Sequence, residues 1–299
     1  MSSEVFFSIV IPTYNRAAFI NATVQSVLQQ TYTNFEVIVV DDGSTDNTEE
    51  VINKLTHPRL FYFKKENAER GAARNFGVRK AKGDYITFLD SDDLLMPHHF
   101  AIAADFIKEN KQPEIFHHAY NFINEDGVEL QRLNFTKGDF NKQLIVKGNL
   151  MSCMGVFLRN DIAKQFPFNE DYALSGTEDH ELWLRLAARY EIKHLNTVTA
   201  SLVQHDTRSV MEVNPQKLIQ RLELFIKYVS ADKAFQKKYG LLIPAMKAQA
   251  WSYIALHFAL THSHYKEGME FFKKAFKVYP EFIFQKRFYV IAKHLMQSK

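Results

Sequence analysis

The sequence is poor in features that mark several large classes of protein. Its 299 residues include one cysteine, Cys153, so no disulfide can form within the chain and a reducing, cytoplasmic setting is expected. Neither G-x-G-x-x-G nor G-x-x-x-x-G-K-[ST] follows the first apolar run, which disfavours a dinucleotide-dependent oxidoreductase and a P-loop kinase. The N-terminal segment does not resemble a signal peptide, and no run reaches the roughly 18 apolar residues of a membrane span. Any membrane contact is therefore expected to be peripheral.

A strongly basic character is also missing. The net charge of +3 at pH 7 is too small to predict binding to nucleic acid, which calls for a concentrated basic surface. Apolar material is plentiful, because 46% of the residues are hydrophobic and there are 26 Phe and 13 Tyr. This composition supports a large core, and the length is compatible with one large unit plus a smaller one. The aromatic content alone does not choose between core packing, carbohydrate stacking and an interfacial surface.

The first ninety residues alternate short β-branched runs with longer amphipathic stretches, which is typical of a parallel sheet flanked by helices. The predicted strands are Phe6–Ile11, Glu36–Val40, Leu60–Phe63 and Tyr85–Leu89, and the predicted helices are Phe19–Gln30, Asp46–Leu55 and Gly71–Lys80. Three strands end in polar loops with the sequences PTYNR, DDGSTD and DSDD. Because ligands bind at the carboxyl ends of strands in open α/β sheets, these loops are expected to converge on one site.

The remainder of the chain is less regular and then becomes helical. A hairpin is predicted at the turn Asn124 to Gly127, and a helix is predicted to begin near Thr177. After roughly residue 213 the β-branched runs cease, so we predict two domains, residues 1–213 and residues 214–299. Within residues 251–280 the pattern resembles a single tetratricopeptide hairpin, although an ordinary helical hairpin is favoured because solenoid repeats need neighbours.

The sharpest local feature is the acidic run Asp90-Ser91-Asp92-Asp93, directly after a predicted buried strand. Three carboxylates this close repel one another unless solvent or a cation relieves them. An exposed acidic turn is the alternative, but the end of a buried strand is where an α/β site lies. Oxygen-rich clusters at such a position suit Mg²⁺ or Mn²⁺, which predicts a divalent metal site.

Other candidate residues occur in the neighbouring loops. Asp41 and Asp42 follow the second predicted strand, and the helix cap that begins at Gly43 does not account for them. Arg70 and Arg74 flank a predicted helix start, a favourable place for phosphate, with surface salt bridging as the alternative. Asp179 and Glu178 open another helix, where a contact with the helix dipole is the alternative. His205 is a further candidate metal ligand, although a single histidine is more often structural.

These loops, in this order, resemble the family 2 glycosyltransferases of the GT-A fold. The residues that carry the resemblance are SIVIPTYNR at 8–16, VIVVDDGSTD at 37–46, GAARNFGVRKAKGDYITFLDSDD at 71–93 and TEDHELWLRLA at 177–187. The combination is far more specific than any single piece and covers about two thirds of the chain. It implies a GT-A-type, Rossmann-like α/β fold with a mixed, mainly parallel sheet and a C-terminal helical extension.

The resemblance also implies an activity and a set of site residues. The activity is inverting, metal-assisted transfer of a sugar from a nucleotide diphosphate sugar, with UDP favoured, to a glycan or lipid-linked acceptor. Asp179 is the implied catalytic base, Asp92 and His205 are the implied ligands of Mn²⁺ or Mg²⁺, and Asp90 and Ser91 belong to a D-x-D motif. The residues predicted to bind the nucleotide are Pro12, Thr13, Tyr14, Arg16, Asp41, Asp42, Arg70, Arg74, Asp90 and Ser91. Glu178, Asp93 and Trp183 are predicted on the acceptor side or behind the site.

Two other functions remain open at the level of sequence. A nucleotidyltransferase also uses strand-end acids and a metal, but it normally has a glycine-rich basic loop near the N-terminus. A non-catalytic glycan-binding or nucleotide-sugar-binding protein would not need a base such as Asp179. The C-terminal stretch 276–299 alternates basic and aromatic residues, which predicts either a helix packed on its own domain or peripheral contact with an anionic membrane.

Overall fold

The structure, a computed structural model, describes residues 4–133, 135, 138–205, 214–261 and 263–297. The chain divides into two compact units, the first formed by Met1–Lys137, Met151–Leu182 and Tyr190–Glu212, the second by Gly138–Leu150, Trp183–Arg189 and Val213–Lys299. The predicted division at residue 213 stays a prediction of domain organisation. The second unit takes in two earlier segments because they bond to one another and to the C-terminal helices. Ala187 O accepts from both Asn141 Nδ2 at 2.9 Å and Lys238 Nζ at 3.0 Å.

The elements up to residue 204 alternate strands and helices. In chain order they are β1 (Phe7–Thr13), α1 (Ile20–Leu28), β2 (Phe35–Asp41), α2 (Thr48–Asn53), β3 (Leu60–Lys64), α3 (Glu69–Lys80), β4 (Tyr85–Phe88), β5 (Leu94–Leu95), α4 (His99–Glu109), β6 (Ile115–Asn124), β7 (Glu129–Arg132), α5 (Phe140–Lys147), β8 (Val156–Arg159), α6 (Asn160–Gln165), α7 (Glu178–Ala187) and β9 (Lys193–Gln204). Helices follow: α8 (Pro215–Ala231), α9 (Lys233–Tyr239), α10 (Ile243–Leu260), α11 (Tyr265–Val278) and α12 (Lys286–Gln297).

The strands of the described residues form one mixed sheet in the order β3-β2-β1-β4-β8-β6-β9-β5, with β7 paired to β6. The pairings among β3, β2, β1 and β4 are parallel, as is the long pairing of β6 with β9, whereas β8 runs antiparallel to β4 and β6. Helices flank the sheet, so the predicted α/β fold class is confirmed. The predicted hairpin is also confirmed, because β6 and β7 are antiparallel across the turn at Gly127.

The central strands are apolar because both of their faces are buried. Every residue of β1 and of β2 is buried, including the polar Ser8 and Glu36, whose side chains bond to each other at 2.6 Å. Continuous apolar runs of this kind are expected in a parallel sheet covered on both sides. Gly77 of α3 lets that helix approach β1, since a Cβ there would lie 2.3 Å from Val10 Cγ1. The close packing fixes the start of α3 near the end of β1.

The second unit is helical. α10 and α11 form the predicted hairpin, and Gly268 of α11 faces Phe258 of α10, where an added Cβ would lie 3.2 Å from Phe258 Cβ. Asp232 caps α9 by accepting from Phe235 N and is paired with Arg189 at 2.8 Å. Of the helices in the described ranges, none combines the length and the apolar character needed to cross a membrane.

Candidate functional site

A cavity of about 510 Å³ lies where the loops after β1, β2 and β4 meet, as the sequence pattern predicts for the carboxyl ends of parallel strands. Polar and charged side chains predominate around it. The residues that line it are Pro12, Thr13, Tyr14, Asn15, Arg16, Asp42, Asn67, Glu69, Arg70, Ala73, Asp90, Ser91, Asp92 and Tyr172. Eight of the ten residues predicted to bind the nucleotide are in this set, and Asp41 and Arg74 are the two outside it.

Hydrogen bonds join the loop after β1 to the loop after β2, and together the two loops form one wall of the cavity. Asn15 Oδ1 accepts from Thr45 N at 2.8 Å, and Ser44 Oγ accepts from Asn15 N at 2.9 Å. Thr48 Oγ1, at the start of α2, accepts from Arg16 N at 2.9 Å. Asn15 has a φ of 51°, a left-handed conformation that asparagine adopts more readily than most residues. The loop after β2, where the sequence predicts a turn and a helix cap, therefore also forms one side of the cavity.

Asp41 and Asp42 are adjacent but have different surroundings. Asp41 has no exposed surface, and its two oxygens accept from Ser44 N and from the Tyr62 hydroxyl, each at 2.7 Å. Burial and the bond to Asp41 raise the pKa of Tyr62, so its hydroxyl remains a donor. Asp42 lines the cavity and is paired with Lys65 Nζ. Asp42 is thus placed to meet a ligand, whereas Asp41 holds the end of β2 in shape.

The turn after Asp42 requires glycine. Gly43 has a φ of +83°, and an added Cβ would lie 3.1 Å from Asn67 N and 3.3 Å from Lys65 O. A side chain at this position would therefore be both strained and crowded. The close approach carries Asn67 to the cavity wall, where its Nδ2 donates to Asp42 O at 3.0 Å.

Asp92 and His205, the two predicted metal ligands, are brought together. His205 Nε2 lies 3.2 Å from Asp92 Oδ2, although 113 positions separate the residues in the sequence. The His205 ring stacks on Phe19 with centroids 4.4 Å apart, and Arg16 Nε lies 3.7 Å from the same carboxylate oxygen. Among the residues that the structure describes, no group of three or more His, Cys, Asp or Glu could hold a metal ion. The pair supplies two protein ligands at most.

Arg74 joins two carboxylates behind the cavity. It is 1% exposed, and its Nη2 and Nη1 atoms donate to Asp90 Oδ1 and Glu178 Oε1, each at 2.7 Å. Glu178 opens α7 and is itself buried, whereas the next residue, Asp179, is half-buried with Oδ1 accepting from His180 N at 2.7 Å. The strand end that bears Asp90 is thereby linked to the helix start that bears Asp179.

Arg70 contributes a positive charge to the cavity wall. Burial lowers its pKa, but the carboxylates of Glu178 and Asp90 outweigh this effect and raise the pKa above the ordinary value. Arg70 therefore carries its charge at any physiological pH. A fixed cation beside a cavity is suited to binding an anionic ligand such as a phosphate.

Three further predicted residues are buried. Ser91 is 6% exposed at the cavity wall, and Asp93 is 1% exposed and accepts from Val203 N of β9 at 3.1 Å. Asp93 thus anchors the end of the strand that precedes His205. Trp183 has no exposed surface and belongs to the second compact unit.

The model of the family described as "Glycosyl transferase family 2" matches residues 8–165, more than half of the chain. The chain belongs to this family. This membership agrees with the resemblance carried by the sequence motifs, and it favours a glycosyltransferase over the nucleotidyltransferase and the non-catalytic binding protein that the sequence left open.

A curated relative agrees with this membership, and two solved structures share the fold. The chain is 34% identical over 191 residues to the "UDP-Glc:alpha-D-GlcNAc-diphosphoundecaprenol beta-1,3-glucosyltransferase WfaP" of Escherichia coli, a match that covers 64% of this chain and 73% of WfaP. Its fold is similar to that of S. aureus TarS 1-349 in complex with UDP-GlcNAc, with a TM-score of 0.71, 18% identity and coverage of 98% and 89% of the two chains. The mannosyltransferase PcManGT from Pyrobaculum calidifontis in complex with GDP-Man and Mn²⁺ has a TM-score of 0.58 at 18% identity, with coverage of 99% and 86%.

Other relatives are considerably longer. The match to an uncharacterized glycosyltransferase of Rickettsia bellii covers 78% of this chain but 33% of the relative, and a second one from Rickettsia conorii is covered to 45%. The chain therefore spans between a third and a half of the length of these relatives.

Several residues of the cavity are not among those predicted from the sequence. Asn67, Glu69 and Tyr172 line it, and Phe19 supports His205. Asn67 could have been predicted from its position, because it lies shortly after the end of β3 and such loops converge on the site. Tyr172 carries no local signal, because it belongs to an irregular loop far along the chain, and only packing brings it to the cavity.

Proposed function

We propose that this glycosyltransferase is an inverting enzyme that transfers a hexose from a nucleotide diphosphate sugar to an acceptor hydroxyl by metal-assisted direct displacement. Synthesis of a cell-surface polysaccharide or glycoconjugate is the proposed setting, with a cytoplasmic location. The observation that carries the proposal is the Arg74 bridge between Asp90, on the wall of the nucleotide-sized cavity, and Glu178, the neighbour of Asp179. It ties the proposed donor site to the proposed base.

The donor is proposed to bind through the loops after β1, β2 and β4. Thr13 is 2% exposed, and its Oγ1 has no hydrogen-bond partner among the described residues although Thr13 lines the cavity. A buried, unsatisfied hydroxyl is costly, and a nucleobase or ribose would satisfy it. Tyr14 is 46% exposed and offers a ring face, while Asp42 offers acceptor oxygens to a base imide. UDP is favoured, in line with the UDP-GlcNAc bound by TarS.

A divalent cation fits the residues present. Mg²⁺ and Mn²⁺ sites of nucleotide enzymes use one or two carboxylates plus substrate phosphates rather than a cage made only of protein. Asp92 and His205 provide such an incomplete set at 3.2 Å, and PcManGT was solved with GDP-Man and Mn²⁺. When bound, the metal would neutralise charge on the leaving diphosphate. Arg70 would add a second, permanent positive charge for the phosphates.

Asp179 is proposed as the catalytic base. Displacement at the anomeric carbon requires a carboxylate that accepts the proton of the attacking acceptor hydroxyl. Asp179 Oδ1 is held by the bond from His180 N, which fixes the carboxylate at the first turn of α7. Glu178 cannot readily take this role, because its oxygens accept from Arg74 and from Gly176 N. We therefore propose that Glu178 and Arg74 position α7.

Two substitutions test these assignments. Asp179→Asn should reduce transfer by about 10³-fold or more while donor affinity changes little, because only the proton acceptor is lost. Asp92→Ala should instead abolish the manganese-dependent part of donor binding. Donor binding is measured by thermal shift with a panel of nucleotide sugars with and without Mn²⁺, and transfer by release of nucleotide diphosphate in the presence of acceptor. Wild-type transfer by Asp179→Asn would refute the base assignment.

A lipid-linked acceptor and peripheral membrane contact are proposed for the helical unit. Four apolar side chains and three lysines are exposed on one short segment, and we refer to them as the C-terminal patch: Phe276, Lys277, Ile283, Phe284, Lys286, Tyr289 and Lys293. Phe284 is 84% exposed and Tyr289 59%. Arg287, which the sequence pattern groups with these cations, instead turns inward and donates to Ser252 Oγ at 3.3 Å. Exposed aromatics with lysines suit the interface of an anionic bilayer.

A further inference from the structure

We propose that Tyr172 forms a subsite for a sugar ring of the acceptor. Tyr172 lines the cavity and is 64% exposed, more than Tyr14 at 46% or Phe61 at 39%, the other exposed Tyr and Phe side chains in the described part of the first unit. An exposed ring among charged and polar groups offers one flat apolar face. The C–H face of a pyranose can pack on such a face while its hydroxyls bond to the polar neighbours. The inference rests on the proposed sugar transfer.

The loop that carries Tyr172 is held rigidly. Asn75 of α3 is buried and pairs with the backbone of Phe168 in both directions, because its Nδ2 donates to Phe168 O and its Oδ1 accepts from Phe168 N, each at 2.9 Å. The same Nδ2 lies 2.8 Å from Glu170 Oε1. Gly71 of α3 lies so close to the loop that an added Cβ would be 2.9 Å from Asn169 O. One side of the loop is thus fixed to α3.

The other end of the loop is fixed as well. Asp171 Oδ1 accepts from Ala173 N at 3.0 Å and closes the short turn in which Tyr172 lies. Leu174 has no exposed surface, and the Ser175 hydroxyl donates to Glu69 Oε2 at 2.8 Å. An exposed aromatic side chain on a loop fixed at both ends loses little conformational freedom when a ligand binds. Such preorganisation is what a binding platform requires.

The position of Tyr172 along the chain assigns it to the acceptor. The groups proposed for the nucleotide and its phosphates lie on the loops after β1, β2 and β4 and at the start of α3. Tyr172 instead lies on the segment that leads directly into α7, seven positions before Asp179. The acceptor hydroxyl must reach that base, so a ring on this segment meets the acceptor rather than the nucleotide.

Binding of simple sugars to the full chain loaded with UDP and Mn²⁺ tests the subsite without requiring turnover. The probes are the methyl α- and β-glycosides of glucose, galactose and N-acetylglucosamine, observed by saturation-transfer NMR. With the wild-type protein, saturation should be transferred to the ring C–H protons of at least one glycoside. Tyr172→Ala should weaken that binding roughly tenfold, about 1.4 kcal/mol, whereas Tyr172→Phe, which keeps the ring, should retain it. Phe61→Ala, an exposed aromatic away from the cavity, should also leave it unchanged.

Distinct results would overturn the subsite. They are the absence of saturation for all six glycosides with the wild type, equal binding by Tyr172→Ala, or loss with Tyr172→Phe. A loss of UDP affinity in Tyr172→Ala, measured by titration calorimetry, would place the ring against the nucleotide instead. Because none of these readouts depends on transfer, failure of the proposed activity would appear separately, in the Asp179→Asn comparison.

Discussion

Arg74 is a buried cation that relies on two carboxylates for charge balance. Its guanidinium is almost fully buried, and two carboxylates from distant parts of the chain balance its charge. Removing one member of such a network leaves a buried charge without its counter-charge, which is strongly destabilising. The contribution of Arg74 to structure is therefore large, and any effect on catalysis is expected to act through the positions of Asp90 and α7.

Arg74→Met should lower the free energy of unfolding by about 3–5 kcal/mol, because Glu178 would remain buried without its partner. The double variant Arg74→Met with Glu178→Gln should be more stable than Arg74→Met alone, since the buried carboxylate that loses its ion pair with Arg74 is removed. Urea denaturation of both variants and the wild type measures these differences. A variant with lost donor binding but an unchanged unfolding free energy would favour direct contact of Arg74 with the nucleotide, as the sequence predicts.

The types of residue in the sequence predict part of the candidate site. The cluster at Asp90 to Asp93 and the acids after β2 were predictable, because strand-end loops of an α/β sheet converge. Which acid of a neighbouring pair faces the cavity was not predictable. Asp41 turns to Tyr62 and Asp42 to Lys65, and this choice depends on partners more than twenty positions away. Tyr172 depends on contacts that are still more distant in sequence.

At the scale of elements, β6 and its neighbours enclose a group of buried histidines. His117 and His118 of β6 and His99 of α4 have no exposed surface. Thr199 Oγ1 of β9 lies 2.8 Å from His99 Nδ1 and 3.1 Å from His118 Nδ1. A hydroxyl has one proton, so it can donate to one imidazole and accept from the other when both rings are neutral. The geometry therefore suits uncharged histidines.

These histidines should make the fold sensitive to mild acid. Burial lowers the pKa of His99 and His117 well below the ordinary 6.5, and that of His118 to about 3. At these three positions the unfolded chain therefore binds more protons below pH 6.5, so their contribution to the free energy of unfolding is constant above that pH and falls below it. The expected loss is roughly 1.4 kcal/mol per histidine for each pH unit below 6.5.

Urea denaturation at pH 8.0, 6.5 and 5.5 measures this dependence. The lower limit stays above the range in which ordinary carboxylates, with pKa values of about 4, begin to titrate. His118→Gln should make the slope of the unfolding free energy against pH shallower, by the equivalent of about one proton, because one of the three buried histidines is removed. Equal unfolding free energies at pH 8.0 and pH 5.5 would contradict the expectation.

The elements themselves were largely predictable from the sequence. The first four predicted strands agree with β1 to β4 to within about two residues, because short β-branched runs bounded by turns are a strong signal. The region of β6 to β9 was less predictable. β9 joins β6 in parallel with two irregularities in register near Ala119, so its pairing depends on tertiary contacts rather than on a local pattern.

At the scale of the whole molecule, the C-terminal patch predicts binding to anionic vesicles. The full chain should sediment with vesicles of phosphatidylcholine plus phosphatidylglycerol, more weakly with phosphatidylcholine alone, and less at high salt. Phe284→Ser combined with Tyr289→Ser should reduce binding about tenfold or more, because two apolar side chains no longer enter the interface. Leu241→Ser is the matched control, since Leu241 is 97% exposed but lies outside the patch. Equal sedimentation of all variants would refute membrane contact.

The link between Asp92 and His205 has a consequence for how the protein is made. On the proposed roles, the residues that hold the nucleotide all precede residue 93, whereas Glu178, Asp179 and His205 follow roughly a hundred positions later. At about 5–20 residues per second, the ribosome needs roughly 5–20 s to synthesise that stretch. A growing chain therefore contains every residue proposed to hold the nucleotide before it contains Asp179 or His205. On these proposed roles, sugar transfer requires that β9, which leads into His205, has been synthesised.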